Sequence, residues 1–561
     1  MKFTYGRLGG TILALASILV AANAREAAAQ EASSRQPATL CSGGTPTFVE
    51  PMSAPHWNGW GADLSQHRFQ PAEMAQLAAK DVPRLRLKWA FGFPDATRAY
   101  TQPIVFGGRI FVGSQVGKVY SLDASLGCTY WEFDAGTSVR TAIIIGKDSA
   151  GWVAYLGDVK GNAYAVDALT GKLRWKNRVE DHPSAMITGS PTLVGTTLFV
   201  PVSSYEERTG ANPNYSCCTF RGSIVALDAS TGKLLWKSYT IAEKPNPGAA
   251  NALGVQQIGP SGAAVWSAPT YDAAKGIIYA TTGDNYSDPP TDTSDAILAF
   301  DAASGELVWA HQVTPGDAYN ISCVTTGINC PAAKGPDLDF GSSAILVTLS
   351  TGKRALIAGQ KSGIVTAVDP DRSGAVLWQT RVGRGGKLGG VQWGSATDGS
   401  KMYVAVSDTK INLVSPGTAG AQTSLFNPKI AWLLDGDTGG GLHALKLDTG
   451  EEVWSAPPPA CNGVLGCGPA QSAAVTAIPG VVFSSSLDGH LHAYSATDGH
   501  VMWDVDTKGE YRTVNDVVAR GGSIDGPGAV IVGGMLYATS GSGIWGGKPG
   551  NVLLAYSVDG R

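Results

Sequence analysis

The sequence predicts an all-β protein, an eight-bladed β-propeller whose ring is closed by strands from the two ends of the chain. Three observations carry this. A motif running from glycine to tryptophan recurs along the chain, its first half alternates apolar and polar residues, and the last copy stops before its tryptophan. Composition agrees: Gly (72) and Trp (15) are abundant and charged residues make up only 16%, as many short strands and tight turns require.

The clearest copy is Gly161-Asn-Ala-Tyr-Ala-Val-Asp167-Ala-Leu-Thr-Gly171-Lys-Leu-Arg-Trp175, repeated from Gly222 to Trp236 with Asp228, Thr231 and Gly232 in register. Looser copies run over 117–131, 295–309, 363–378, 441–454 and 489–503. Alternation before the turn is the period of a half-buried strand. The Asp-x-x-Thr-Gly turn supplies a side chain that caps its own backbone and a glycine free to take positive φ. The following strand ends in Trp, whose ring can pack between neighbouring sheets. The eighth copy is split: Asn551 to Gly560 begins it, and Leu85-Arg-Leu-Lys-Trp89 supplies the missing strand. Pairing the two ends leaves no open sheet edge.

Residues 1–24 read as a secretory signal: Lys2 and Arg7, an apolar run from Thr11 to Ala22, then Ala22-Asn23-Ala24 for cleavage. The run is too short to span a bilayer. Residues 25–45 read as an unstructured leader and 46–561 as the propeller, so the expected product is exported, periplasmic in a Gram-negative host and not membrane-bound. Net charge is −4 with no basic block, which argues against nucleic acid as a partner. Export permits disulfides. Cys217 and Cys218 are adjacent, Cys323 and Cys330 bracket one loop, Cys461 and Cys467 another, and Cys41 and Cys128 are left as a further pair. No Cys-x-x-Cys-His occurs, which excludes covalent c-type haem on this chain.

The repeat, with Asn58-Gly-Trp60-Gly and 85–89 ahead of it, resembles the pyrroloquinoline quinone (PQQ) dependent alcohol dehydrogenases. Cys217 to Gly222, Thr282 to Tyr286 and Gly521 to Pro527 resemble the polyvinyl alcohol dehydrogenase branch. The resemblance implies PQQ on the propeller axis, a divalent cation on its quinone oxygens, and a carboxylate base that takes the alcohol proton. A hard cation wants several oxygen ligands and polarises the quinone carbonyl.

Carried over residue by residue, the resemblance places Trp266 as the floor under PQQ and Arg140 against a PQQ carboxylate, a task suited to a planar guanidinium. Thr188 and Ser203 fall where relatives hydrogen-bond PQQ, and Lys361 where relatives put a cation against the quinone oxygens. Trp393 and Trp545 match cofactor-facing positions. For the metal, register selects Glu206 with Glu207 as alternate, and Asp284 with Asn285 one slip away. The vicinal pair Cys217-Cys218 lies in an insertion expected to return it to the face of the cofactor. Direct register puts Asn320 at the base position, and Asn cannot take a proton. Aligning backwards from the strand at Ala344 selects Asp337, and the aromatic pattern favours Asp339. Asp317 is a third choice and Asp337 is preferred. Asp337 is also counted as a metal ligand beside Glu206 and Asp284, and the cation expected is Ca²⁺; if both Asp337 and Asp339 bind it, the pattern resembles lanthanide-using relatives. The activity implied is oxidation of a secondary or bulky alcohol, polyvinyl alcohol-like or polycyclic, to a ketone, with electrons passing to a separate soluble cytochrome c. The competing reading is a non-catalytic scaffold of the outer-membrane assembly type.

Overall fold

A computed structural model describes residues 40, 41, 48, 53–423, 429, 431–544 and 546–561. The leader, the signal and Trp545 therefore lie outside the described residues, apart from Leu40 and Cys41. Within them the chain is a succession of antiparallel sheets, seven with four strands and one with five. They span 104–134, 144–178, 185–239, 270–312, 345–381, 396–456, 476–506, and finally 530–558 together with Leu85–Gly92. That last sheet joins the two ends: Leu85–Gly92 pairs antiparallel with Val552–Val558. The sixth sheet carries a three-stranded insertion between its second and third strands, Ile411–Val414, Gln422–Thr423 and Ala431–Leu434.

The repeat works as its chemistry requires. Asp167 Oδ1 accepts hydrogen bonds from the Thr170 amide (2.9 Å) and hydroxyl (2.8 Å), and Asp228 does the same for Thr231. Gly171 then takes φ +73°. Its positive φ is only half the reason for glycine, because a Cβ at Gly171 would lie 2.8 Å from the Trp131 ring of the preceding sheet.

The same contact runs along the chain of sheets. Trp89 covers Gly127, Trp131 Gly171, Trp175 Gly232, Trp236 Gly305, Trp309 Gly374, Trp378 Gly450 and Trp454 Gly499. Trp503 packs edge-on to Tyr556 of the closing sheet at 5.5 Å. Five of these indoles also donate Nε1–H to a carbonyl of the next sheet, as Trp131 does to Ala168 at 3.1 Å. Each tryptophan therefore fastens its own sheet to the next.

Gly171→Ala is expected to cost about 2 kcal/mol or more, combining left-handed strain on a residue with Cβ and overpacking against Trp131. Gly195→Ala, at φ +56° with nothing within 4 Å, should cost only the strain. Urea midpoints compare the two, and equal shifts would remove the tryptophan from the explanation.

All four cysteine pairs are bonded: 41–128, 217–218, 323–330 and 461–467. No described helix is long and apolar enough to cross a membrane.

Candidate active site

Segments just ahead of the first strands of the sheets converge on one cleft. Its lining includes Tyr100, Arg140, Trp266, Gly341, Trp393 and Gly526, each a few residues upstream of a first strand in a different sheet, and Thr188, between the short strands Ala185–Met186 and Thr192–Val194. The cleft has about 360 Å³ of space, including space continuous with solvent. Trp266 packs closely on Gly341, where a Cβ would lie 2.0 Å from the indole. Trp393 stands perpendicular to Trp266 with centroids 5.3 Å apart. The Arg140 guanidinium lies 4.5 Å over the Trp393 ring, and burial lowers its proton affinity without bringing a hydrogen-bonded carboxylate among the described contacts. Trp393 is itself oriented by donating Nε1–H to Asp525 at 2.6 Å. Thr188 and Ser203 share a hydroxyl hydrogen bond of 2.7 Å.

Beside Trp266 lies a group of charges. The ends of the second strands of two adjacent sheets present Asp284, beyond Ile277–Thr281, and Lys361, beyond Arg354–Gly359. The long connection between these sheets adds Asp337 and Asp339. One oxygen each from Asp284, Asp337 and Asp339 lie within 4.8 Å of one another, and all three residues are buried. Lys361 Nζ donates to Asp337 Oδ1 (2.6 Å) and Asp339 Oδ2 (2.9 Å) and stands 5.6 Å from the Trp266 ring centroid. Asp339 Oδ1 accepts the Asp284 amide at 2.7 Å. Both oxygens of Asp339 are thus engaged, whereas among the described residues Asp337 accepts only from Lys361. Asp284 Oδ2 is buried with no partner.

Burial, followed by the neighbouring carboxylates, pushes Asp284 well above the usual carboxylate range. Asp337 is raised by burial, with Lys361 pulling the other way. Burial opposes the Lys361 charge, yet Asp337 and Asp339 outweigh it and hold the ammonium protonated. One cation against three crowded carboxylates leaves an excess of negative charge, with an orphaned oxygen, that a hard dication would satisfy.

Asp317, a third choice for the base, is an anchor. Its carboxylate accepts the amides of Asp337 (3.1 Å) and Leu338 (2.8 Å) and so shapes the loop that delivers Asp337, which sits at φ +63°. Asn320 donates to the carbonyls of Tyr286 and Asn329 and caps a short helical turn. Asn285 is likewise committed, to Ser261 and Thr291.

The two adjacent glutamates separate cleanly. Glu206 accepts from Tyr215 Oη (2.6 Å) and from the amides of Thr219 (2.9 Å) and Phe220 (2.7 Å). It is fully buried and holds the loop carrying Cys217 and Cys218. Glu207 feels the carboxylate group instead: burial and then the Asp339 charge raise it to about 7. The Cys217–Cys218 pair does not line the cleft. It is buried in the same apolar cluster against which Trp266 packs.

One residue went unnoticed in the sequence. Asp295 stands where the other complete copies of the repeat have glycine, takes φ +48°, and buries both carboxylate oxygens without a partner. Burial and then Asp339 and Asp317 push it well above the usual range. A non-glycine at a repeat glycine was the available signal.

Comparison with known proteins decides the family. The chain is 41% identical to a polyvinylalcohol dehydrogenase of Pseudomonas sp over 93% of this chain and 80% of that protein. It is 38% identical to the polyvinylalcohol dehydrogenase of Sphingopyxis sp. (strain 113P3) over 92% and 78%. The chain belongs to the polyvinyl alcohol dehydrogenase branch of the PQQ-dependent alcohol dehydrogenases. It is thus an oxidoreductase of the quinoprotein type. A family model described as outer membrane protein assembly factor BamB matches 61–254, 219–432 and 361–545, three overlapping stretches of the repeat. The fold is also that of the crystallised quinohemoprotein alcohol dehydrogenase from Comamonas testosteroni, with TM-score 0.64 at 18% identity over 92% of this chain and 82% of that one. The all-β class expected from the repeat is the one observed, and the fold is shared with PQQ dehydrogenase propellers.

Proposed function

We propose that this protein oxidises a secondary or bulky alcohol, of polyvinyl alcohol or polycyclic type, to a ketone, using PQQ and Ca²⁺ in the cleft beside Trp266. The observation that carries the reading is the junction of two surfaces: an aromatic, arginine-bearing cleft, and a buried carboxylate group balanced by one lysine. A propeller that only binds other proteins has no use for uncompensated buried carboxylates.

PQQ, when bound, supplies the hydride acceptor, and the cation supplies Lewis acidity at its carbonyl. The residues do the rest. Trp266 offers a flat apolar floor held in place by Gly341. Arg140 has its guanidinium free to pair with a carboxylate, while Thr188 and Ser203 present hydroxyls. The Cys217–Cys218 pair supports this floor only through the buried apolar cluster against which Trp266 packs, and Trp393 closes another side. Trp545 is carried as a cofactor contact on resemblance alone.

Asp284, Asp339 and Glu207 would hold the cation, with Asp337 beside it. Glu207 takes the place first given to Glu206, whose carboxylate is already occupied by its own loop. Asp337 has an uncommitted oxygen and accepts the alcohol proton as general base, while the Lys361 ammonium works against the burial that raises its proton affinity. The eight sheets, each linked to the next through a tryptophan, are read as eight blades of a ring closed by Leu85–Gly92. Residues 1–24 act as an export signal to the periplasm, and electrons leave to a separate cytochrome c.

The test mixes apoprotein with PQQ and Ca²⁺, or with a lanthanide, and follows reduction of an artificial acceptor over a panel of alcohols. Turnover with secondary alcohols supports the reading, and absence of PQQ binding and turnover under every metal overturns it. Glu207→Gln should weaken Ca²⁺ binding about 10-fold or more, measured by calorimetry in the presence of PQQ. Glu206→Gln should leave Ca²⁺ affinity nearly unchanged and lower stability through the loop it holds. The reverse pattern would return the ligand role to Glu206.

A further inference from the structure

The seventh sheet carries a second group of metal-ligating side chains, of different chemistry. Its third strand, His490–Ser495, alternates its faces. Leu491 and Ala493 enter an apolar cluster with Trp503, which puts His490, His492 and Tyr494 together on the other face. Asp504, on the neighbouring strand Val501–Asp506, is the direct cross-strand partner of His492, and Asp506 that of His490. One ligand atom each from His490, His492 and Asp504 lie within 4.8 Å of one another.

We propose that His490, His492 and Asp504 form a binding site for a borderline divalent transition-metal cation, Zn²⁺ in chemical class, separate from the carboxylate site of the cleft. Two imidazoles and one carboxylate with a fourth position open is a recurrent zinc ligand set. Ligand arms of about 2.0–2.1 Å place tetrahedral ligands about 3.3 Å apart. His492 Nε2 stands 3.4 Å from Asp504 Oδ1, within reach of that spacing. His490 Nδ1 lies 2.8 Å from the same oxygen and needs only a small opening. The two rings are stacked, with centroids 5.7 Å apart and planes 26° apart.

His492 presents Nε2 to Asp504. It is 4% exposed, and its Nδ1 is buried with no partner. Three carboxylates, Asp488, Asp504 and Asp506, face one cation, Lys508, around the pair, so added positive charge is welcome. Side-chain exposure of 26% at His490 and 44% at Asp504 leaves a route in and room for a water ligand. Imidazole selects this class of cation, whereas the oxygen-only group in the cleft selects hard ions. A cation here would tie the outermost strand of the seventh sheet to its neighbour beside the closing sheet.

The test uses the full chain saturated with Ca²⁺ and titrated with Co²⁺ alone, read by the intense visible absorption of tetrahedral Co²⁺ and then by displacement with Zn²⁺. One equivalent is expected, with affinity falling about 100-fold in His492→Ala and in Asp504→Asn. Alcohol-dependent acceptor reduction should be unchanged in both variants. Should His492→Ala fail to fold, Asp504→Asn and His490→Ala, on partly exposed positions, decide the matter. Absence of tetrahedral Co²⁺ binding overturns the proposal, as does binding that survives Asp504→Asn or that disappears in Asp284→Asn instead.

Discussion

Asp337→Asn is expected to lower kcat by about 10²–10⁴-fold, the range that a positioned general base contributes, while PQQ and Ca²⁺ still bind. The substitution keeps the shape of the side chain and one acceptor for Lys361, so the loop anchored by Asp317 should keep its course. Asp339→Asn is expected to act differently. Both Asp339 oxygens are already committed, to Lys361 and to the Asp284 amide, so its loss should show as weaker Ca²⁺ binding, with kcat largely recovered at saturating Ca²⁺. Steady-state kinetics at several Ca²⁺ concentrations separates the two. A kcat defect in Asp339→Asn that Ca²⁺ cannot repair, with Asp337→Asn near wild type, would exchange their roles.

Lys361→Met should produce the largest loss of stability. It removes the one cation hydrogen-bonded to Asp337 and Asp339, and stranding buried carboxylates costs about 3–5 kcal/mol. Added Ca²⁺ should return most of that, because a cation bound only by the folded protein stabilises it by mass action. The pH dependence has a definite sign. Asp284 and Asp337 have folded-state proton affinities raised by burial, so their protonated forms favour the folded state at low pH. That contribution disappears as pH rises above the ordinary carboxylate range. The Ca²⁺-free variant should therefore be most stable near pH 4 and lose stability steadily toward neutrality. Urea midpoints with and without Ca²⁺ read both effects, and an equal loss in each condition would deny Lys361 its counter-charge role.

Much of the site was legible because the repeat supplies a ruler. Carrying the positions of the family it resembles onto that ruler pointed to Asp284, Asp337, Asp339 and Lys361, at strand ends or loops that the fold brings together. The ruler fails where spacing is not periodic. Glu206 and Glu207 are adjacent, and which one faces the carboxylates depends on a single helical turn, Glu206–Thr209, and on the amides of Thr219 and Phe220. Likewise nothing in the spacing of Asp317 distinguishes a base from an anchor. Its partners, the amides of Asp337 and Leu338, lie about one loop away and come close only when that loop folds back.

The sequence by itself determined the sheets, their turns and their order, because alternation, an Asp that caps its own turn and a glycine at positive φ are local properties of a few consecutive residues. It also determined that the ends must meet, since one copy was divided between them. Only the tertiary structure decided why the turn glycines cannot be exchanged, by laying the tryptophan of one sheet on the glycine of the next. It also decided which acidic side chains share a site and which are spent on hydrogen bonds. Those outcomes depend on distances between residues far apart in the chain, where burial and unpaired charge, rather than local propensity, set the energy.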